Sequence, residues 1–258
     1  MNPLQRALVE KMGHDHGFEH VLISDPSGVV LASARHATRA QVVAPSGGGY
    51  LLYLETDSPT LMSEMQRTLV YRSEAGGIVA DSEEGLALLL RRAAGFAQAL
   101  SSKSIQDNEI SVAKHLAQLP QDVRDTEVER LVRQRVGQQK LREAMLNYWG
   151  GACAVTGLAL PAVLRASHAK PWSECVSDAE RLDVFNGFLL VANLDALFDR
   201  FLISFDDRGS LLMSSQLGEA DLTCLGLTAG MRLRWLSDGH QGYLAWHRAR
   251  FEDHVVEV

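Results

Sequence analysis

The chain is poor in the features that most directly announce a class. Its 258 residues include only three cysteines, Cys153, Cys175 and Cys224. The number is odd and no C-x-x-C pair occurs, so neither a disulfide framework nor a four-thiolate zinc site is indicated. A reducing, cytoplasmic setting is the expectation. No apolar run approaches the roughly 18–20 residues of a membrane span, so no membrane role is expected. The N-terminal stretch MNPLQRALVEKMGHDH lacks the apolar core of a secretion signal. No internal repeat is visible. Gly47-Gly48-Gly49 is not followed by a helix carrying Lys-Ser/Thr, so a hairpin turn is expected there rather than a phosphate cradle. What remains is an ordinary globular composition, 46% apolar and 22% charged, which excludes a disordered or collagen-like chain. The length suits one large core or two modest ones.

Basic charge is scarce overall, with a formal net charge of −7, which argues weakly against a nucleic-acid partner. Its distribution is lopsided, however. Between Arg130 and Trp172 lie seven basic residues, Arg130, Arg133, Arg135, Lys140, Arg142, Arg165 and Lys170, against one acid, Glu143. Such a stretch is either the electrostatic footprint of a phosphate backbone or a solvated helix face.

Periodicity and turn chemistry divide the chain into an α+β arrangement of two modules. Residues 1–100 read as a small α/β module of unmatched function. LQRALVEKM is a short amphipathic helix. Strand pairs flank Asp25-Pro26-Ser27-Gly28 and Pro45-Ser46-Gly47-Gly48-Gly49. A helix follows Ser58, and Asp81 with Glu84 forms a capping box for the helix through GLALLLRRAAGFAQAL. Residues 101–125 are polar with one weak helical patch and read as an interdomain linker. Residues 126–258 form the second module. Thr126 with Glu129 makes a capping box for a helix whose apolar face holds Val128, Leu131, Val132 and Val136, ended by Gly150-Gly151. Ala162–His168 and Phe188–Val191 are strands around a polar loop from Ser173 to Val184. Asn193 caps a helix over Leu194–Phe201. FLISF and SLLMSS form a hairpin, RLRWL is a strand, and YLAWHRARFEDHV is a terminal helix.

The chemistry-bearing stretch is RASHAKPW…NGFLLVANLDALFDRFLISF. His168 ends the first strand, Asn186 precedes the second, and Asp195 and Asp199 stand four apart on one helix face. Two carboxylates so placed repel each other, and a divalent cation between them would reverse that sign. The bland alternative is a first-turn Asp195 favoured by the helix dipole and a solvated Asp199.

The order CAVTG, SHAKPW, NGFLLVANLDALFD and FLISFDDRG resembles the HNH nuclease superfamily with its ββα-metal core, in the bacterial branch with an S/A-H-x-x-P-W motif. The likeness runs from about Thr126 to Phe251 and leaves the first 100 residues uncovered. It implies a metal-dependent DNA endonuclease. His168 would be the general base. Asn186 would orient it and brace the loop. Asp195 would fill the third, metal-binding position that is often histidine, and Asp199 would add a ligand one turn on. Mg²⁺ or Mn²⁺ suits such oxygen ligands. Ser167 stands where many relatives carry an acidic ligand. Relatives with zinc knuckles hold their core with thiols that this chain lacks, so packing must hold it here. The basic residues Arg165, Lys170, Arg130, Arg133, Arg135, Lys140 and Arg142 would contact phosphates.

For His247, core packing and phosphate contact stand equal. His14, His16 and His20 form a spaced cluster read as solvated, and Trp172 is read as a packing anchor for its loop. The resemblance places the protein in restriction or phage defence, with modification dependence open and the first module as a sensor. Arg35, Arg39, Arg67 and Arg72 would then serve target choice. A homodimer stays open. The alternative is a non-catalytic DNA-binding or assembly protein with a decayed core, and Ser167 and Asp195 are the departures that favour it.

Overall fold

The computed structural model describes residues 1–101, 103–118 and 126–256. It divides into two compact units, Met1–Ser101 and Ser102–Val258.

In the first unit, helix α1 (Pro3–Asp15) precedes four strands, β1 (His20–Asp25), β2 (Gly28–Ala32), β3 (Arg39–Val43) and β4 (Tyr50–Glu55). Helix α2 (Leu61–Thr68), strands β5 (Ser73–Glu74) and β6 (Gly77–Ala80) and helix α3 (Glu83–Ala99) follow. The strands form one antiparallel six-stranded sheet in the order β1-β2-β3-β4-β6-β5. Alternate residues on β3 and β4 (Ala40, Val42, Tyr50, Leu52) are buried, as a sheet with one covered face requires. Leu86, Leu90 and Phe96 of α3 and Val9 of α1 belong to the same core. Ser82, not Asp81, caps α3, since its side chain accepts from Gly85 N. Asp81 instead pairs with Arg72. The other three arginines read as target contacts are also ion-paired: Arg35 with Glu19, Arg39 with Glu55 and Arg67 with Glu64.

The second unit opens with helix α4 (Lys103–Ala117), within the stretch expected as a linker. Residue 102 and residues 119–125 of that expected linker lie outside the described residues. The helix is seated on its own unit: Val112 is buried and Glu109 pairs with Arg133 of α5 (Thr126–Tyr148). Because Thr126 is already helical, the residue that would cap α5 lies outside the described residues. The buried stripe of α5 is Val136, Gly137, Leu141, Met145 and Tyr148, whereas Leu131 is half exposed. Gly150 and Gly151 end the helix with positive φ, and Gly151 N donates to Leu146 O.

Strand β7 (Leu164–His168), helix α6 (Asp178–Leu182), strand β8 (Gly187–Val191) and helix α7 (Ala192–Phe198) follow, then the hairpin β9 (Ile203–Phe205) and β10 (Leu211–Met213). Helices α8 (Glu219–Leu225) and α9 (Gln241–Val256) complete the unit. Helix α6 lies inside the expected polar loop. Asn193 does not cap α7, which starts at Ala192, but donates to Leu225 O. RLRWL makes only one bridge, Ser210 to Arg232, rather than a ladder. The core is aromatic. Trp149 stacks on Trp235 at 4.4 Å, Tyr148 meets Phe185, and Phe188 meets Phe198 and Phe205. Arg234 donates to Trp149 O and Ala152 O, and its guanidinium lies 4.5 Å from the Trp235 ring centroid. This cluster closes the CAVTG turn by packing.

Candidate active site

The site is built on the β7–β8 pair with α7 laid back across it. The two strands run antiparallel with His168 opposite Gly187 and Ser167 opposite Phe188. Close approach at the open end requires glycine: a Cβ on Gly187 (φ 155°) would lie 2.0 Å from Ser167 O and 2.8 Å from the Met145 methyl.

His168 is half-buried, and burial lowers its pKa below the ordinary histidine value. Its Nε2 lies 3.1 Å from the carbonyl of Arg181. A carbonyl only accepts, so Nε2 carries the proton and Nδ1 is the basic nitrogen. Asn186 does not contact this ring as expected. It is fully buried and ties the loop after His168 together. Its Oδ1 accepts from Lys170 N at 2.8 Å, and its Nδ2 donates to Glu180 O at 3.0 Å and Lys170 O at 3.2 Å. Asn186 therefore reaches the base indirectly, by holding the carbonyl next to that of Arg181.

Sequence reasoning missed Arg181. Its guanidinium donates to Asp178 at 2.8 Å, to Trp172 O at 3.2 Å and to Cys175 O at 2.6 Å, gathering the loop beneath the histidine. Its contact with His168 is made by a backbone carbonyl, which no side-chain type announces. Trp172 packs its ring edge-on to His168 at 6.0 Å and onto α5, where a Cβ on Gly137 would lie 2.2 Å from it.

Beside His168 on β7, Ser167 is buried and its hydroxyl donates to Asp199 Oδ1 at 3.2 Å. Both carboxyls have raised pKa values. Burial is the main cause in each, and Asp195 feels Asp199 in addition. The nearby Arg165 works in the opposite direction on Asp195. Among the described residues no group of three or more His, Cys, Asp and Glu side chains forms a metal cage. Two adjacent carboxylates that resist ionisation still fit a hard divalent cation, which commonly takes one or two carboxylates and completes its shell with water and substrate phosphate. Asp195 and Asp199 would hold it.

A cleft of about 320 Å³ is lined by Gln138, His168, Trp172, Asp199, Phe201 and His247. His247 is buried. Its Nε2 donates to Phe198 O at 2.9 Å, its Nδ1 meets Ser204 Oγ at 2.9 Å, and its ring stacks on Phe198 at 3.8 Å. Burial pushes its pKa down to about 4, so it is a neutral packing residue. Most of the basic stretch is engaged within the protein. Arg130 pairs with Glu127, Lys140 with Glu143, Lys170 with Glu180, and Arg133 with Glu109, Glu129 and Asp178. Arg142 donates to Leu164 O and Pro161 O, and Arg165 to Ala162 O and Leu164 O. Arg135 is exposed on α5.

Residues 153–206 match the family model of the HNH endonucleases. The second unit carries an HNH endonuclease domain. The match spans the CAVTG turn, both strands, α7 and β9, which are the elements that assemble His168, Asn186, Asp195 and Asp199. No curated protein matches the chain. Among the described residues no helix is long and apolar enough to cross a membrane.

Proposed function

We propose that the HNH domain is a metal-dependent DNA endonuclease in which His168 is the general base. The observation that carries this reading is the bond from His168 to the Arg181 carbonyl. It fixes one tautomer and reserves Nδ1 for a proton, in the same cleft as Asp199. The lowered pKa keeps the ring neutral at cellular pH, the form a base must have. A water oxygen forms the new bond to phosphorus, its proton passes to Nδ1, and the bond from phosphorus to the leaving sugar oxygen breaks. The Arg181 carbonyl then faces the imidazolium and stabilises it. Mg²⁺ or Mn²⁺ on Asp195 and Asp199 would stabilise charge on the phosphoryl group and the leaving oxygen. Asn186 keeps the loop, and with it the carbonyl, in place. Restriction or phage defence is the setting we propose, with the first unit choosing the target; it rests on the family resemblance alone.

His168→Ala should lower the rate of plasmid cleavage with Mg²⁺ or Mn²⁺ by about 10²–10⁴-fold while leaving the thermal midpoint nearly unchanged. Full activity in that variant, free of contaminating nuclease, would remove His168 from the mechanism. A second reading, a DNA-binding protein without catalysis, is favoured by Ser167 in place of an acid. It predicts that the wild-type chain binds plasmid and never nicks it with either ion.

A further inference from the structure

One aromatic residue beside the cleft sits where its backbone does not favour it. After α7, Phe201 N donates to Phe198 O at 3.0 Å and Leu202 N to Leu197 O at 2.9 Å, the paired bonds of a helix end whose turning residue takes a left-handed conformation. That position is ordinarily glycine, because a side chain there costs about 1–2 kcal/mol. Here it is phenylalanine at φ 55°. Among the described residues only Ala75, in the tight turn between β5 and β6, shares this feature outside glycine. A strained residue at a cleft is a pointer to function rather than to folding.

The Phe201 ring is half-exposed and lines the His168–Asp199 cleft. It does not stand alone. Trp246, on α9, lies 6.4 Å away and is also partly exposed. One helical turn on, the Arg250 guanidinium lies 3.3 Å from the Trp246 ring centroid. Phe201 also meets His247 at 4.8 Å, so two partly exposed rings and a planar cation form one contiguous run that begins at the His168–Asp199 cleft. None of the three belongs to the base, the loop brace or the carboxylate pair.

We propose that Phe201, Trp246 and Arg250 form a stacking platform for an unpaired nucleobase next to the scissile phosphate, so that the preferred substrate is DNA with single-stranded character at the cut. This deepens the nuclease reading and rests on it. A base inside a duplex already has both faces covered by its neighbours. Only an unpaired one offers a free π-face to an aromatic ring, and such stacking is tolerant of sequence. The guanidinium over Trp246 fits the same chemistry, since it stacks on bases and attracts the adjoining phosphate.

The test is binding by fluorescence anisotropy in chelator, where no cleavage occurs. It uses the full chain and one labelled oligonucleotide as single strand, as duplex and as duplex with an unpaired bulge. Wild type should bind the single strand and the bulge more tightly than the duplex. Trp246→Ala should weaken binding to the first two by roughly 5- to 150-fold, the cost of one lost base stack, and change duplex binding less than about twofold. Trp246→Phe should retain the preference. Phe201→Gly is the companion variant, because glycine suits that backbone. It should melt within a few degrees of wild type and lose the same preference. Equal wild-type affinity for single strand and duplex overturns the proposal. So do variants that weaken both ligands alike, or neither. A chain that never cuts DNA yet shows the predicted binding pattern would sink the nuclease reading and leave the platform standing.

Discussion

At neutral pH Asp195 and Asp199 are ionised in the unfolded chain, while in the fold their pKa values are raised. A carboxyl with a raised folded pKa binds more protons in the native state, so stability falls as pH rises from the ordinary aspartate value through the folded one. The metal-free fold is therefore penalised at neutral pH, and a cation held as proposed would reverse the penalty. Asp195→Asn is expected to raise the melting temperature in chelator and to flatten its dependence on pH above about 4. It should also weaken the stabilisation that Mg²⁺ or Mn²⁺ gives, which for wild type is about 2.7 kcal/mol at 100 times the dissociation constant. Asp199→Asn should act in the same sense and less strongly. Melting curves with and without metal decide it; an Asp195→Asn variant that melts lower in chelator and responds fully to metal would contradict the ligand role. At this scale the sequence made the types and spacing of His168, Asp195 and Asp199 legible. It could not show that Asn186 holds loop carbonyls rather than the histidine, or that His247 has both ring nitrogens engaged, because those partners depend on how a folded loop and a distant helix meet. Phe201 left a faint signal: the α7 helix stops at FDRF with no glycine to turn it.

Elements were legible where a periodic face is long and poorly so where partners lie far off in sequence. The ββα order followed from short apolar runs with polar breaks. Of the apolar positions expected on α5 Val136 is buried, and the rest of the buried stripe, Gly137, Leu141, Met145 and Tyr148, lies in the second half, where β7, β8 and the Trp172 loop pack. By propensity Gly137 is a weak helix residue, and in the fold it is the seat of an indole. Gly137→Ala is thus expected to destabilise the domain by about 1–3 kcal/mol through overpacking, despite alanine's better helix propensity. It should also slow cleavage, because Trp172 carries the loop that holds His168. Thermal unfolding and single-turnover cleavage test this together; a stabilised, fully active variant would show that the indole moves aside freely.

For the whole molecule, polarity between residues 101 and 125 reads as a boundary, but the contacts place the first break at Ser101. Helix α4 registers in the sequence only as a weak helical patch; among its described side chains Val112 and Asn108 are buried. It is also tied by an ion-pair chain through Glu109, Arg133, Asp178 and Arg181 that ends beneath His168. A fragment starting at residue 103 should therefore unfold cooperatively and keep its cleavage rate. One starting at residue 126 should be weaker by roughly 1.5–3 kcal/mol from Val112 alone and should cleave more slowly. Equal melting and equal rates in the two fragments would show that α4 contributes nothing to the domain.

Strand β1 is one edge of the first unit's sheet, and it exposes Val21, Leu22 and Ile23 at 44%, 52% and 51%. An apolar edge of that length is a template on which further chains can assemble. Its pairing with β2 slips between Val21 and Ile23, leaving Leu22 as an extra residue that kinks the strand. The kink breaks the even row of N–H and C=O groups that a second strand would need, so it is expected to hinder edge-to-edge assembly. Deleting Leu22 would straighten the edge, and light scattering of the deletion variant should rise steeply with concentration at temperatures where the wild-type chain stays clear. A deletion variant as clear as wild type at every concentration would show that the kink has no such part.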